Sequence, residues 1–122
     1  MLCRGVRGAT IVEKNTKDSI LAASRELLHK IVEANEIDVD TIACAIFTTT
    51  ADLNAGFPAA AARQMGWSNI ALLGTREADV TDGPKMCLRI LILFNTEKKL
   101  ADIKHIYIKG AESLRKEIPA II

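Results

Sequence analysis

The chain has 122 residues, which is the size of one domain. Hydrophobic residues make up 49% of it and charged residues 25%, values that are typical of a globular domain and argue against a disordered or fibrous chain. Its 16 basic and 15 acidic side chains leave a net charge of +1, which gives no support for a bulk nucleic-acid or anionic-membrane binder.

The cysteines and histidines argue against disulfide and metal scaffolds. Cys3, Cys44 and Cys87 are odd in number and too widely spaced for a zinc motif, and two histidines are too few for most metal clusters. The first residues lack the apolar region of a secretory signal, and no apolar run approaches the about 20 residues of a membrane span. We therefore expect a reduced, cytoplasmic protein that neither enters a membrane nor binds nucleic acid.

The first half of the chain predicts a strand followed by a helix. Residues 2–12 combine glycine with β-branched and charged residues, which favours a strand with irregularities. Apolar residues then recur at helical spacing over 16–34. Thr16 suits the N-cap, Asp18 lies in the first turn near the positive end of the helix dipole, and Asn35 suits the stop.

The middle of the chain predicts two more strands with a helix between them. Residues 42–50 form a short apolar, β-rich run that is typical of a buried strand. Pro58 suits the first position of a short helix over 58–65, and Gly66 suits its end. A short strand is predicted over 69–73.

Two further strands are expected near the end of the chain. Residues 86–94 show a buried-strand pattern, and 105–108 form the last apolar group before Gly110 breaks it. A short helical or irregular segment follows around 111–117. The alternation of strand and helix patterns indicates an α/β or α+β domain.

Arg89 is the only charged residue in the apolar strand 86–94. It alternates with Cys87, Leu91 and Leu93, which are all compatible with a buried face. An unpaired buried guanidinium is costly, so Arg89 needs an anionic partner. That partner is either a protein carboxylate or a bound ligand.

Motifs for a nucleophile elbow, a zinc protease, a phosphate-binding loop and a dinucleotide fold are all absent. Further arginines stand near element ends, where each alone is most simply a surface charge: Arg4, Arg7, Arg63 and Arg115. Planar guanidinium groups suit bidentate binding of carboxylates. Such a set without a nucleophile or metal motif favours a site that binds an anion and acts by placement and electrostatics.

Five segments together resemble one known family: RGVRGATIVEKNT (4–16), TTTADLNAGFPAAAARQMGW (48–67), LLGTREADV (72–80), KMCLRIL (85–91) and KHIYIKGAESLR (104–115). In this order they are similar to the small chorismate mutases of the trimeric α/β type, as distinct from the all-helical type. The similarity covers nearly the whole chain with almost no change in length. None of the segments would be specific alone.

The resemblance implies a single α+β domain over 1–122, with a mixed, ferredoxin-like β-sheet and helices packed on one side. Three subunits would join their sheets into a barrel-like core, a trimeric pseudo-α/β-barrel with active sites between neighbouring subunits. The implied reaction is the Claisen rearrangement of chorismate to prephenate, on the route to phenylalanine and tyrosine. It requires no metal, cofactor or covalent intermediate.

The resemblance also assigns roles to residues. Arg89 matches the arginine that donates to the ether oxygen of the breaking bond, and Glu77 matches the carboxylate that accepts from the ring hydroxyl. Arg7 and Tyr107 match groups that hold a substrate carboxylate. The full set of substrate-binding positions is Arg7, Phe57, Arg63, Leu73, Gly74, Tyr107, Leu114 and Arg115.

Four residues depart from the family pattern. Gly74 stands where some members carry a cysteine, so only its backbone can contact substrate. Ala60 stands where some members have a lysine near the cleft mouth. Lys99 and Leu100 replace a Val–Pro-like pair in the loop before the last strand.

Two alternatives to a mutase stay open on the residues. A trimeric imine or enamine deaminase would share a related barrel and use an interfacial arginine to hold a carboxylate. A trimeric carboxylate-binding regulator would keep the pocket without turnover. The ordered set Arg7, Phe57-Pro58, Glu77, Arg89 and Tyr107 favours the mutase pattern.

Overall fold

The computed structural model describes residues 1–114 of the chain. Its helices are α1 (Lys17–Ala34) and α2 (Ala59–Gln64). Its strands are β1 (Leu2–Ile11), β2 (Ile42–Thr49), β3 (Ala71–Arg76), β4 (Cys87–Thr96) and β5 (Ile106–Ile108). No helix within residues 1–114 is both long enough and apolar enough to cross a membrane.

The five strands form one mixed sheet in the order β3-β2-β4-β1-β5. The central β4 runs antiparallel to both β1 and β2, whereas the edge strands β3 and β5 run parallel to their neighbours β2 and β1. Both helices pack on the same face of this sheet. The predicted α+β class with a mixed sheet and helices on one side is therefore confirmed.

Helix α1 is held at both ends by side chains that satisfy free backbone groups. Thr16 accepts a hydrogen bond from Ser19 N at 3.1 Å, as its N-cap position predicted. The side-chain amide of the buried Asn35 donates to Ile31 O and Lys104 O, both at 2.9 Å, and accepts from Lys104 N at 2.8 Å. Asn35 thus ends the helix and also anchors the segment that enters β5.

The helix-covered face of the sheet forms the main core. Its central strand contributes Ile90, Ile92 and Phe94, each at most 1% exposed. Gly8 permits the close approach of α1, since a Cβ there would lie only 2.6 Å from the Ile31 side chain. The remaining core residues are mostly aliphatic, and Phe47 and Trp67 are its other buried aromatic members.

Arg89 lies on the opposite face of β4. The sequence predicted that this face is buried, but the structure shows it only partly buried. Leu91 and Leu93 on that face are only half-buried, although Cys87 is buried. The fully buried alternate residues are those facing the helices. The two faces of β4 differ because α1 and α2 cover only one of them. On the other, Ala111 and Leu114 pack over the end near Cys87, and the rest is left uncovered by residues 1–114. We call this uncovered side the open face.

The boundaries of β3 differ from the predicted ones. The strand expected over 69–73 is β3, Ala71–Arg76, because parallel pairing with β2 continues to the Thr49–Arg76 pair. Gly74 therefore lies within the strand and not in a turn before Glu77. At the chain end a helical turn covers 112–114, and the rest of the segment predicted over 111–117 lies outside the described residues.

Candidate active site

The centre of the site is formed by Arg89 and Glu77 on the open face. Arg89 projects from β4 directly beside Thr48 of β2, its partner in the antiparallel register. Glu77 follows β3 immediately, and its backbone N–H donates to Thr49 O at 2.8 Å. This places the carboxylate where Thr48 Oγ1 donates to Oε2 at 2.7 Å and Arg89 Nε lies 3.4 Å from the same oxygen.

The contact between Arg89 and Glu77 is an ion pair that leaves donor capacity on the guanidinium. Arg89 Nε is shielded from solvent and has no hydrogen-bond partner among the described residues, so its approach to Glu77 lacks hydrogen-bond geometry. The side chains are 34% and 24% exposed. The sequence left open a carboxylate partner or a ligand for Arg89. The structure provides the carboxylate and still leaves the cation accessible.

A hydrogen-bonded clamp fixes the start of β4, two residues before Arg89. Both carboxylate oxygens of Asp52 accept from Met86 N at 3.0 Å, and Thr50 Oγ1 accepts from Cys87 N at 3.0 Å. Met86 has φ +52°, a conformation that few side chains adopt without support. The clamp therefore holds a strained turn that sets the position of Arg89.

Two pKa shifts accompany this clamp. The hydrogen bond from the Thr50 hydroxyl, followed by that from the Met86 amide, holds the pKa of Asp52 below its usual value despite opposing desolvation. Burial raises the pKa of the Cys87 thiol, and the nearby Arg89 charge offsets only part of that rise. Asp52 is thus a charged acceptor at neutral pH, and Cys87 is a neutral thiol.

Arg89 and Glu77 line a cavity of about 870 Å³, together with the loop that joins β3 to β4 and with Leu114 near the described end. Leu114, one of the substrate-binding positions that the resemblance implies, therefore lines the same cavity as Arg89 and Glu77. Arg115, the next position in the expected set, lies outside the described residues.

Arg7 and Tyr107 lie on the same open face as Arg89. Ala9 pairs with Arg89 on one side and with Tyr107 on the other, so these three form one row across β4, β1 and β5. Two interstrand spacings put the Arg89 and Tyr107 backbones about 10 Å apart. Arg7 lies two residues before Ala9 on β1 and faces the same side of the sheet. Its backbone N–H donates to His105 Nδ1 at 3.0 Å.

The other expected residues form a second group around β3 and α2. Phe57, Arg63 and Gly74 line a separate cavity of about 390 Å³ on the helix side of β3. The side chain of Phe57 is 79% exposed. Leu73 alternates to the open face and is 61% exposed. A Cβ at Gly74 would meet nothing within 4 Å, so space for a side chain exists there.

Gly74 and Tyr107 lie near opposite edges of the sheet within one chain. Gly74, Phe47, Ile90, Gly8 and Ile106 form one continuous row across all five strands. Four interstrand spacings therefore separate the edge near Gly74 from the edge beside Tyr107, about 19 Å. A small ring-shaped acid cannot contact both edges of the same sheet.

Sequence reasoning missed the polar residues that support the central pair, namely Thr48, Thr50 and Asp52. They lie in the segment TTTAD, where β2 ends and the chain turns. A run of hydroxyl residues followed by an aspartate at a strand end is a signal for turn hydrogen bonds. Nothing in the sequence shows that these bonds reach Glu77 and Met86.

Within residues 1–114, no group of three or more His, Cys, Asp or Glu side chains is arranged to hold a metal ion. The three cysteines are free thiols. The geometry places the Arg89 guanidinium and the Glu77 carboxylate at one cavity, with the Thr48 hydroxyl bonded to that carboxylate.

The fold and the site define an α+β protein whose open sheet face carries a cation paired with a carboxylate. The family model "Chorismate mutase type I" matches residues 3–118, and the chain belongs to this family.

Two related proteins align with this chain over nearly its full length. "Chorismate mutase AroH" of Thermus thermophilus is 42% identical over 118 residues, 96% of this chain and 97% of the relative. "Chorismate mutase AroH" of Bacillus subtilis (strain 168) is 36% identical over 119 residues, 97% and 94% of the two chains. A solved chorismate mutase from Clostridium thermocellum superposes with a TM-score of 0.88 at 44% identity, covering 90% of this chain and 98% of that one.

Proposed function

We propose that this chain is a chorismate mutase, an isomerase that rearranges chorismate to prephenate in the biosynthesis of phenylalanine and tyrosine. Its family membership and its relatives support that activity. The structural observation that carries the proposal is Arg89, a guanidinium with an unsatisfied Nε–H beside Glu77 at one cavity.

The rearrangement breaks a carbon–oxygen bond, and negative charge develops on the ether oxygen in the transition state. In our proposal Arg89 donates to that oxygen. Because the cation is already fixed on a rigid strand, it stabilises the developing charge more than it stabilises the ground state. Glu77 accepts from the ring hydroxyl, and the bond from Thr48 holds the carboxylate in place for this role.

The rest of the proposed mechanism is conformational. The reaction is unimolecular, so the protein must hold the enolpyruvyl group folded over the ring. Restricting the substrate to that geometry removes an entropic part of the barrier. Arg7 and Tyr107, on the same face as Arg89, suit the binding of a substrate carboxylate, and the remaining expected residues would form the walls.

We also propose a homotrimer with active sites between subunits. The support is that Phe57, Arg63 and Gly74 lie near the β3 edge of the sheet, whereas Tyr107 lies on the opposite edge strand β5, since a second copy could bring the two edges together. The half-buried Leu91 and Leu93 and the exposed Leu73 leave apolar surface on the open face for such a contact.

Three further parts of the proposal concern the chain as a whole. We propose one domain over 1–122, in keeping with the single sheet that unites residues 1–114. We propose a cytoplasmic location, which the three free cysteines support. We propose that the reaction needs no cofactor, because a pericyclic rearrangement transfers no electrons or groups to the protein.

The test is the loss of chorismate absorbance with purified protein in buffer containing a chelator, with prephenate identified as the product. We expect turnover by the wild type and its loss in Arg89→Ala, while light scattering reports an unchanged oligomer. Lys30→Gln removes an exposed cation on α1 and serves as the matched control.

Other results would contradict the proposal in distinct ways. Near-normal turnover by Arg89→Ala would overturn the mechanism but leave the activity. Activity that a chelator abolishes and a metal restores would contradict the cofactor-free reaction. Prephenate binding without turnover would indicate a non-catalytic binder, and hydrolysis of an imine substrate would indicate a deaminase.

A further inference from the structure

We propose that Arg76 is a further substrate-binding residue, which acts with Arg63 to attract and hold a carboxylate of the dianionic substrate. The proposal deepens the proposed function and rests on it. Its basis is the cavity between β3 and α2, in which these two arginines are the only charged lining residues from the described range 1–114.

The alternation of β3 directs Arg76 into this cavity. Leu72, Gly74 and Arg76 occupy successive positions on one side of the strand, and all three line the cavity. The next residue, Glu77, turns the other way and contacts Thr48 and Arg89. Two adjacent residues of opposite charge therefore line different cavities, and Glu77 does not lie in the one that Arg76 lines.

The cavity carries positive charge without a protein anion to balance it. Its lining holds Arg63 and Arg76 but no aspartate or glutamate. Neither arginine forms an ion pair or a side-chain hydrogen bond with another residue of the described range 1–114. Two unpaired guanidinium groups around one concave surface create a potential that attracts an anion and raises its local concentration.

The chemistry of the lining selects the kind of anion. Phe57, Phe47 and Leu72 provide apolar surface beside the two cations. A carboxylate attached to an unsaturated carbon skeleton fits this combination, because the guanidinium fork matches the carboxylate and the skeleton meets apolar walls. Both arginines are exposed, which suits capture of the substrate and not the chemical step.

The test is steady-state kinetics of Arg76→Gln, which keeps much of the side-chain length and removes the charge. We expect KM for chorismate to rise about 5- to 20-fold while kcat changes less than about twofold, the pattern of lost uniform binding. The dependence of kcat/KM on ionic strength should weaken as well. Arg76→Lys should retain most of that salt dependence, since it keeps the charge.

A double variant with Arg63→Gln tests whether the two arginines serve one anion. If they do, the combined loss in kcat/KM will differ from the product of the single losses. Lys30→Gln is the control for a change of one positive charge far from the cavity. A KM and a salt dependence of Arg76→Gln equal to those of Lys30→Gln would overturn the proposal.

Calorimetric titration with prephenate separates this proposal from the proposed function. Wild-type binding that weakens in Arg76→Gln, without any turnover of chorismate, would support the carboxylate site and overturn the mutase activity. Turnover by the wild type with unchanged prephenate affinity and KM in Arg76→Gln would overturn the role of Arg76 alone. Absence of both binding and turnover in the wild type would overturn both proposals.

Discussion

Arg89 Nε lies 3.4 Å from Glu77 Oε2, although β2 separates the strand of Arg89 from the strand that precedes Glu77. Thr48 of the intervening strand donates to the same carboxylate oxygen and bridges the gap. The cation that we assign to the ether oxygen and the anion that we assign to the ring hydroxyl thus compensate each other in the free protein. Substrate binding would exchange this contact for the ether oxygen and the ring hydroxyl.

Replacing Arg89 by lysine should lower kcat by at least about 100-fold. An ammonium group keeps the charge but not the planar fork, and its position on a flexible stem is less fixed. Loss of a single preorganised donor to a developing oxyanion costs about 10²–10³ in rate in other enzymes. Stopped-flow or steady-state loss of chorismate absorbance measures the effect, and a near-normal rate would show that charge alone suffices.

Thr48→Val should reduce kcat/KM about tenfold, because the hydroxyl that orients the Glu77 carboxylate is lost. Thr48→Ser keeps the hydroxyl and should restore most of the activity, which separates orientation of Glu77 from packing of the strand. Both variants should unfold at urea concentrations close to that of the wild type. Equal activity of the valine and serine variants would contradict a positioning role.

Asp52→Ala should destabilise the fold by about 1 kcal/mol at pH 7, since the Met86 amide loses its acceptor. The lowered pKa of Asp52 means that its charged form stabilises the folded state above the usual carboxyl range. This contribution is lost as the pH falls through the folded-state pKa. The difference in melting temperature between wild type and variant should therefore shrink below about pH 4.

The control for this pH series is Asp79→Asn, an exposed loop residue without a hydrogen bond or ion pair to the described residues. Its melting temperature should follow that of the wild type at every pH. A constant difference between wild type and Asp52→Ala from pH 7 to pH 3 would contradict the assigned role of the carboxylate charge.

Gly8→Ala should destabilise the fold by about 2 kcal/mol. The added Cβ would lie 2.6 Å from Ile31 Cδ1 and 3.1 Å from the Ile106 carbonyl oxygen, so the buried Ile31 side chain must change its conformation and β5 must shift slightly. Gly74→Ala is the matched comparison, because nothing lies within 4 Å of a Cβ there, and it should change stability by less than about 0.5 kcal/mol. Urea denaturation of both variants tests the contrast.

Local chemistry in the sequence was sufficient to predict most elements and their ends. Thr16 and Asn35 delimit α1 as their capping preferences indicated, and Gly66 ends the α2 region with φ +92°. These features depend on residues close in sequence, so a pattern can reveal them. The position of β3 was less well predicted, because its length is set by pairing with β2 and not by its own composition.

The sequence by itself determined the α+β class, the main helix and the special status of a lone arginine in an apolar strand. Only the tertiary structure decided which face of β4 is covered, that Glu77 is the partner of Arg89, and that Thr48 and Asp52 support them. Those contacts join residues 12 to 41 positions apart, through strand register and a left-handed turn at Met86. Register follows from the packing of the whole sheet against α1, which no local pattern contains.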